Sequence, residues 1–287
     1  MPSAGSSKRK WLTVAATTAV AAATTFVMSS TLAGPAVIPF GLSKTAIADL
    51  YERLAFGSEL ETPGTERFRE HIKKRDPKRV VRVVVLPQPS TPIDQTVASA
   101  KAVIDEITDR SAAMDTHVLS MDELSEILSA TPERRSDLAD ALFVFIGNRE
   151  ELMAGIGKVV AANGAVAGLS AWASSLRGDE PMCFVMATSR DGTASIGYSM
   201  AWIEAGAALE ECLYEEVMQS FGIANDFPAG VPSLFSDDRV YRVPSELDWV
   251  LWRIHTDPRI VAGMSKMEAR AVVSVILDGI AGSAAPR

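Results

Sequence analysis

Apolar positions along this chain change period several times, and the changes mark its elements. Arg79-Val80-Val81-Arg82-Val83-Val84-Val85-Leu86 is a β-branched run closed by Pro87 and Pro89, the pattern of a buried strand. Ile93, Val97, Ala100, Ile104 and Ile107 then recur at helical spacing. They predict a helix with one apolar face, Pro92 in its first turn and Ser90 or Thr91 as its cap. Thr116 to Leu119 reads as a short strand, and Ser120-Met121-Asp122-Glu123 as the capping box that opens a short helix. Ala141 to Ile146 is a second fully apolar strand, closed by Gly147-Asn148 and a further helix. Residues 163–180 carry little periodic signal and read as a long loop. Met182 to Thr188 and Thr193 to Ile203 are strands flanking Ser189-Arg190-Asp191-Gly192, whose Asp-Gly is a hairpin cue. Ala205 to Phe221 is a long helix with Gly222 as its C-cap.

The flanks are less regular. Asp49 to Lys74 reads as surface helices broken at Thr62-Pro63-Gly64. Beyond Gly222, Asn225 to Pro232 is turn-rich, and Ser245-Glu246-Leu247-Asp248 and Ser265-Lys266-Met267-Glu268 each open a capped helix. Crossovers between the first strands favour parallel pairing, whereas a hairpin requires antiparallel partners. The expected fold is therefore α/β (α+β) with a mixed sheet.

Composition narrows the class. With 287 residues, 47% of them hydrophobic, the chain buries a real core and is neither disordered nor a disulfide-stapled miniprotein. Its net charge of −8 argues against nucleic acid as a partner, because phosphate binding needs the opposite sign. One long uncharged run exists, Trp11 to Ser43, preceded by Lys8-Arg9-Lys10. That is the pattern of a secretory signal, with small residues suited to cleavage after Ala33 or after Ala48. The alternative is an uncleaved single-span anchor. Residues 1–48 are thus expected to be a signal peptide or anchor and residues 49–287 the folded domain, divided into a sheet-and-helix part (49–222) and a helical C-terminal part (223–287). The domain is expected outside the cytoplasm, periplasmic or anchored to the inner membrane, with membrane contact only through an uncleaved N-terminal segment.

Two cysteines, Cys183 and Cys212, fit a single disulfide in an exported chain, or two buried thiols. Cys183 opens the hairpin that leads into the helix carrying Cys212, so the two are expected at disulfide distance. There is no Cys-x-x-Cys, and His71, His117 and His255 are far apart. Gly155-Ile156-Gly157-Lys158 lacks the context of a phosphate loop and reads as helix interior. No Gly-x-Ser-x-Gly elbow occurs.

The densest chemistry lies between Glu210 and Asp226. A zinc peptidase needs His-Glu-x-x-His on a helix, where i, i+4 spacing puts both imidazoles on one face and the Glu polarises water. Glu215-Glu216-Val217-Met218-Gln219 keeps the glutamate but replaces both histidines. Gly222 and Asn225 stand where the longer metzincin pattern has its glycine and third ligand, and Ser233-Leu234-Phe235 where it has its Ser-x-Met turn. The chain resembles, more closely, a family of uncharacterised exported proteobacterial proteins, some of them lipoprotein candidates. The resemblance rests on Cys-Leu-x-Glu-Glu-x-x-Gln-x-x-Gly-x-x-Asn-Asp at Cys212–Asp226, on Ser233 and Phe235, on Asp257, Pro258, Gly263 and Met264, and on Phe-Gly-Ser-Glu at 56–59. It implies a zincin-like mixed sheet with an active-site-type helix, and brings no activity with it.

Glu210, Glu211, Glu215 and Glu216 read either as a solvated face or, because Glu211 and Glu215 are like charges at i, i+4 and destabilise a helix mildly, as a face with a cationic or metal partner. The first functional expectation is a non-catalytic, zincin-like envelope protein that binds a peptide or another envelope protein and uses no cofactor. The alternative is a hydrolase with Glu216 as general base and Glu215, Gln219, Asn225 or Asp226 as weak ligands of a harder ion such as Ca²⁺ or Mn²⁺. A purely structural envelope component is the third.

Overall fold

The computed structural model describes residues 41–56, 70–130, 136–163, 181–190, 193–223 and 225–283. Residues 1–40 of the expected leader, the Thr62-Pro63-Gly64 break, Gly57 to Glu59, most of the 163–180 loop and the Asp191-Gly192 turn lie outside them. Among the described residues are five strands and seven α-helices. In chain order these are α1 (Lys44–Ala55), β1 (Val81–Pro87), α2 (Ile93–Asp109), β2 (Thr116–Leu119), α3 (Met121–Ser129), β3 (Leu142–Gly147), α4 (Arg149–Asn163), β4 (Cys183–Ser189), β5 (Ile196–Glu204), α5 (Leu209–Gln219), α6 (Glu246–Thr256) and α7 (Lys266–Ser283).

The strands form one mixed sheet in the order β2-β1-β3-β5-β4. β2, β1, β3 and β5 are parallel, while β4 runs antiparallel to β5 with Cys183 opposite Ile203. Parallel strands are covered on both faces, which is why β1 and β3 read as near-continuous apolar runs. On one face Val83, Val85, Val144, Ile146, Ala201 and Ile203 pack against α2 and α5, with α1, α6 and α7 extending the same core. On the other, Trp202 stacks with Phe145 and Phe184 at centroid distances of 5.8 Å each, under α4. α3 covers Val84 beside it. Gly155 and Gly157 lie inside α4, as expected.

Several local expectations are corrected. α1 is not a surface helix: Ile47 and Leu54 are fully buried, and Ser43 caps it by accepting from the Ala46 amide at 3.1 Å. Regular structure therefore starts ahead of residue 49, and a cut after Ala48 would remove Ile47 from the core. α2 begins after Pro92 without a side-chain cap. The Ser90 hydroxyl donates instead to Glu151, and the Thr91 hydroxyl to the Gln88 carbonyl at 2.8 Å. Ile93 is 62% exposed, so the apolar face of α2 begins one turn later. α5 starts at Leu209 rather than Ala205, because the Ala205 amide still extends the sheet by donating to the Gly147 carbonyl at 2.8 Å.

Two buried cations outside any recognised motif tie the layers together. Arg75 donates to the carbonyls of Ser220, Asp140 and Gly197 and to Ser199 Oγ at 2.7–3.1 Å, joining the C-terminal end of α5 to the sheet. Lys74 Nζ donates to the Asp257 and Ile260 carbonyls at 2.7 and 2.8 Å. Just after α5, Gly222 adopts φ +119°, and a Cβ there would meet the Lys73 carbonyl oxygen at 1.9 Å. Here glycine is required both for the left-handed turn and for the close approach.

Candidate functional site

α5 carries the acidic residues singled out above. Its apolar residues Leu213, Val217 and Met218 enter the core, but Glu211 and Glu216 are also buried, and Glu215 is only 15% exposed at its side chain. Buried carboxylates need partners. Arg239 supplies one. Its Nε donates to Glu211 Oε1 at 2.9 Å, and its Nη2 lies 3.8 Å from Glu215 Oε2 and 3.8 Å from Cys183 Sγ. The cationic partner anticipated from the i, i+4 carboxylates is thus a guanidinium of the same chain. Arg239 holds φ +49°, the one positive φ at a non-glycine among the described residues. Such a conformation costs about 1–2 kcal/mol, which its ion pairs offset.

Cys183 and Cys212 stand at disulfide distance as expected, with Cα atoms 5.6 Å apart. The bridge fixes the first residue of β4 to the first turn of α5, between Glu211 and Glu215 along the helix. Burial pushes the Glu215 carboxyl up to about 8; the Asp226 and Glu211 charges add to this, and Arg239 opposes it.

The remaining positions are placed as follows. Gln219 Nε2 donates to Asp226 Oδ1 at 3.1 Å. Asn225 faces α1: its Nδ2 donates to the carbonyls of Arg53 and Phe56, satisfying acceptors that the end of a helix leaves without intrahelical partners. Ser233 and Phe235 form a tight buried turn in which Ser233 Oγ donates to Asp248 Oδ1 at 2.5 Å and the Leu234 amide to Asp248 Oδ2 at 2.9 Å. Asp248 is also the last of the four residues of the capping box that starts α6, so one carboxylate holds both the turn and the helix. Asn225 and Asp226 line an open groove of about 1290 Å³ between α1, the segment after α5 and the start of α7. Arg53, Phe56, Lys266 and Arg270 contribute to its walls, whereas Glu215, Glu216 and Gln219 do not.

These donors do not suit catalytic zinc, which takes imidazole or thiolate in sites of three protein ligands. Glu215 pairs with Arg239, Gln219 donates to Asp226, and Asn225 caps α1. The histidines are elsewhere: the His117 imidazole bonds Glu123 at 3.0 Å, the backbone at His71 pairs antiparallel with that at Ser265, and the His255 imidazole is buried between Tyr51 and the Phe221 carbonyl. Of the residues that shape this region, Arg239 left no trace in spacing or periodicity. Its only advance signal was the like-charge pair it neutralises.

A family model described as "Protein of unknown function (DUF2927)" matches residues 44–275. No curated protein matches the chain, and no solved structure does.

Proposed function

We propose that this chain, which belongs to the DUF2927 family of proteins of unknown function, is an exported cell-envelope protein with a zincin-like fold that binds a peptide or protein segment without cutting it. The observation that carries this reading is Arg239. A guanidinium bonded to Glu211 and 3.8 Å from Glu215 stands against the helix face where a zinc peptidase would hold its metal. The mixed sheet with its antiparallel edge strand β4, the following helix α5 and the Ser233–Phe235 turn support the zincin-like part. Without a Lewis acid, attack of water on an amide loses several kcal/mol of transition-state stabilisation. The groove beside Asn225 and Asp226, walled by both charge signs, is the binding surface of this reading. Export is supported by Lys8-Arg9-Lys10 and the uncharged run to Ser43.

The test uses the full chain purified without chelator under oxidising conditions. Less than stoichiometric zinc is expected, with no peptide cleavage that Glu216→Gln abolishes. Peptides selected from a random display library are expected to lose binding when Arg53→Glu or Asp226→Lys inverts a groove charge. Stoichiometric zinc together with Glu216-dependent cleavage would replace the reading with the hydrolase alternative. Recovery of a tagged chain in the cytoplasm alone would remove export.

A further inference from the structure

Cys183 Sγ and one carboxylate oxygen each of Glu215 and Glu216 lie within 4.8 Å of one another. The sulfur is bonded to Cys212, which precedes Glu215 and Glu216 on α5 by three and four residues and so shares their side of the helix. One sulfur from β4 and two carboxylates from α5 therefore converge on one point, and the second sulfur is bonded to the first from the core side. While the disulfide is closed neither sulfur is a thiolate, and only thiolates ligate a metal strongly. We propose that this is a redox-gated metal site: opening the Cys183–Cys212 bond creates a dithiolate–dicarboxylate site for a zinc-class divalent cation, so the disulfide and the metal are alternative states of the same four side chains. This goes beyond the binding reading above and requires neither the zincin-like fold nor a peptide partner.

The chemistry balances with a dithiol as reductant. Its thiolate attacks the sulfur of Cys183, the less buried of the two cysteines, and Cys212 leaves as a thiolate. The second thiol of the reductant then displaces Cys183 and closes its own disulfide. Two electrons and two protons pass to the protein, and metal binding releases those two protons and the one that the Glu215 carboxyl carries at neutral pH. Tetrahedral coordination suits the set: two thiolates give the softness that selects zinc over calcium or magnesium, and Glu215 and Glu216 complete four positions. Arg239 remains on Glu211, its closer partner at 2.9 Å, and its Nη2 withdraws from Glu215 and Cys183 Sγ, from each of which it already stands at 3.8 Å.

The experiment compares the oxidised full chain with the chain reduced by a water-soluble phosphine, which offers no competing thiols. Each is titrated with zinc chloride, desalted and analysed for metal, and cobalt chloride is used in parallel to read thiolate-to-cobalt charge transfer. We expect about one metal per reduced chain, bound on the order of a hundredfold or more tighter than by the oxidised chain. Cys183→Ser is expected to roughly halve the charge-transfer band and Cys183→Ser/Cys212→Ser to abolish it. The Glu215→Gln/Glu216→Gln double variant keeps both thiols and is expected to lose at least about tenfold in affinity. A reduced chain that keeps the oxidised circular dichroism yet binds no zinc overturns the proposal. So does equal affinity in the oxidised chain or in the double glutamine variant. Should reduction unfold the chain, zinc must restore the fold, and failure to do so overturns the proposal as well. Zinc-dependent cleavage by the oxidised chain would instead overturn the non-catalytic reading, so the two failures are distinct.

Discussion

Replacing Glu215 by glutamine should stabilise the protein above neutral pH and leave it nearly unchanged in mild acid. The folded state holds this carboxyl near 8, raised from the ordinary 4.5 chiefly by burial. Between those values the folded chain carries a proton that the unfolded chain has released, so stability falls as pH rises through the window. A shift of this size corresponds to a loss on the order of 3–5 kcal/mol by about pH 9. With a urea m-value of about 2–3 kcal/mol/M for a chain of this length, the glutamine variant should unfold at roughly 1–2 M higher urea there. Arg239 opposes the shift. At 3.8 Å its attraction for Glu215 is about 4 kcal/mol at an effective dielectric of about 20. Because the guanidinium is 38% exposed, solvent reduces that to about 1–2 kcal/mol. Arg239→Gln should therefore push the Glu215 titration about one pH unit higher and deepen the alkaline loss, and the double variant should show neither effect. The assay is urea unfolding followed by tryptophan fluorescence from about pH 5 to about pH 9. Below the ordinary imidazole range His255 contributes the opposite slope, because burial holds its folded pKa down to about 3 from 6.5. Its stabilising effect is lost as pH falls from 6.5 towards 3, and it is common to wild type and variant. Identical slopes above pH 6.5 with and without Glu215 would refute the reasoning.

The other predictions concern the scaffold. Gly222→Ala should prevent stable folding, since its Cβ would collide with the Lys73 carbonyl, whereas Gly230→Ala, at φ +93° but in open space, should cost only about 1–2 kcal/mol by urea denaturation; equal effects would discount the close approach. Asp248→Asn replaces one of its acceptor oxygens by an NH2 donor that must face either the amides of Leu234 and Ser245 or the Ser233 hydroxyl, and should cost about 2–4 kcal/mol by urea denaturation. Tyr51→Phe removes the hydroxyl that donates to His255 Nδ1 at 3.2 Å and should cost about 1 kcal/mol, with the imidazole tautomer, which donates from Nε2 to the Phe221 carbonyl, visible as a change in its nitrogen NMR shifts. Cys183→Ser/Cys212→Ser opens a cross-link with a sequence separation of 29 and should lower stability by about 3 kcal/mol; an unchanged urea midpoint would contradict the bridge.

What the sequence determined by itself is local. The β-branched runs at Val81–Pro87 and Leu142–Gly147 could only be strands buried on both faces, and the capping boxes at Ser120 and Ser245 fix two helix starts within the four residues that form them. The Cys183–Cys212 approach was also legible, because a short antiparallel hairpin feeding a helix leaves little freedom in where that helix lies. Tertiary structure decided the rest. Arg239 reaches Glu211 across 28 positions, Arg75 reaches Ser220 across 145, and Asn225 caps a helix that ended 169 residues earlier at Phe56. Periodicity reports which face of an element is buried, but not which distant polar group will meet it there. That choice belongs to the topology, and it turned an acidic helix face that read as a metal-binding remnant into one neutralised by an arginine of the same chain.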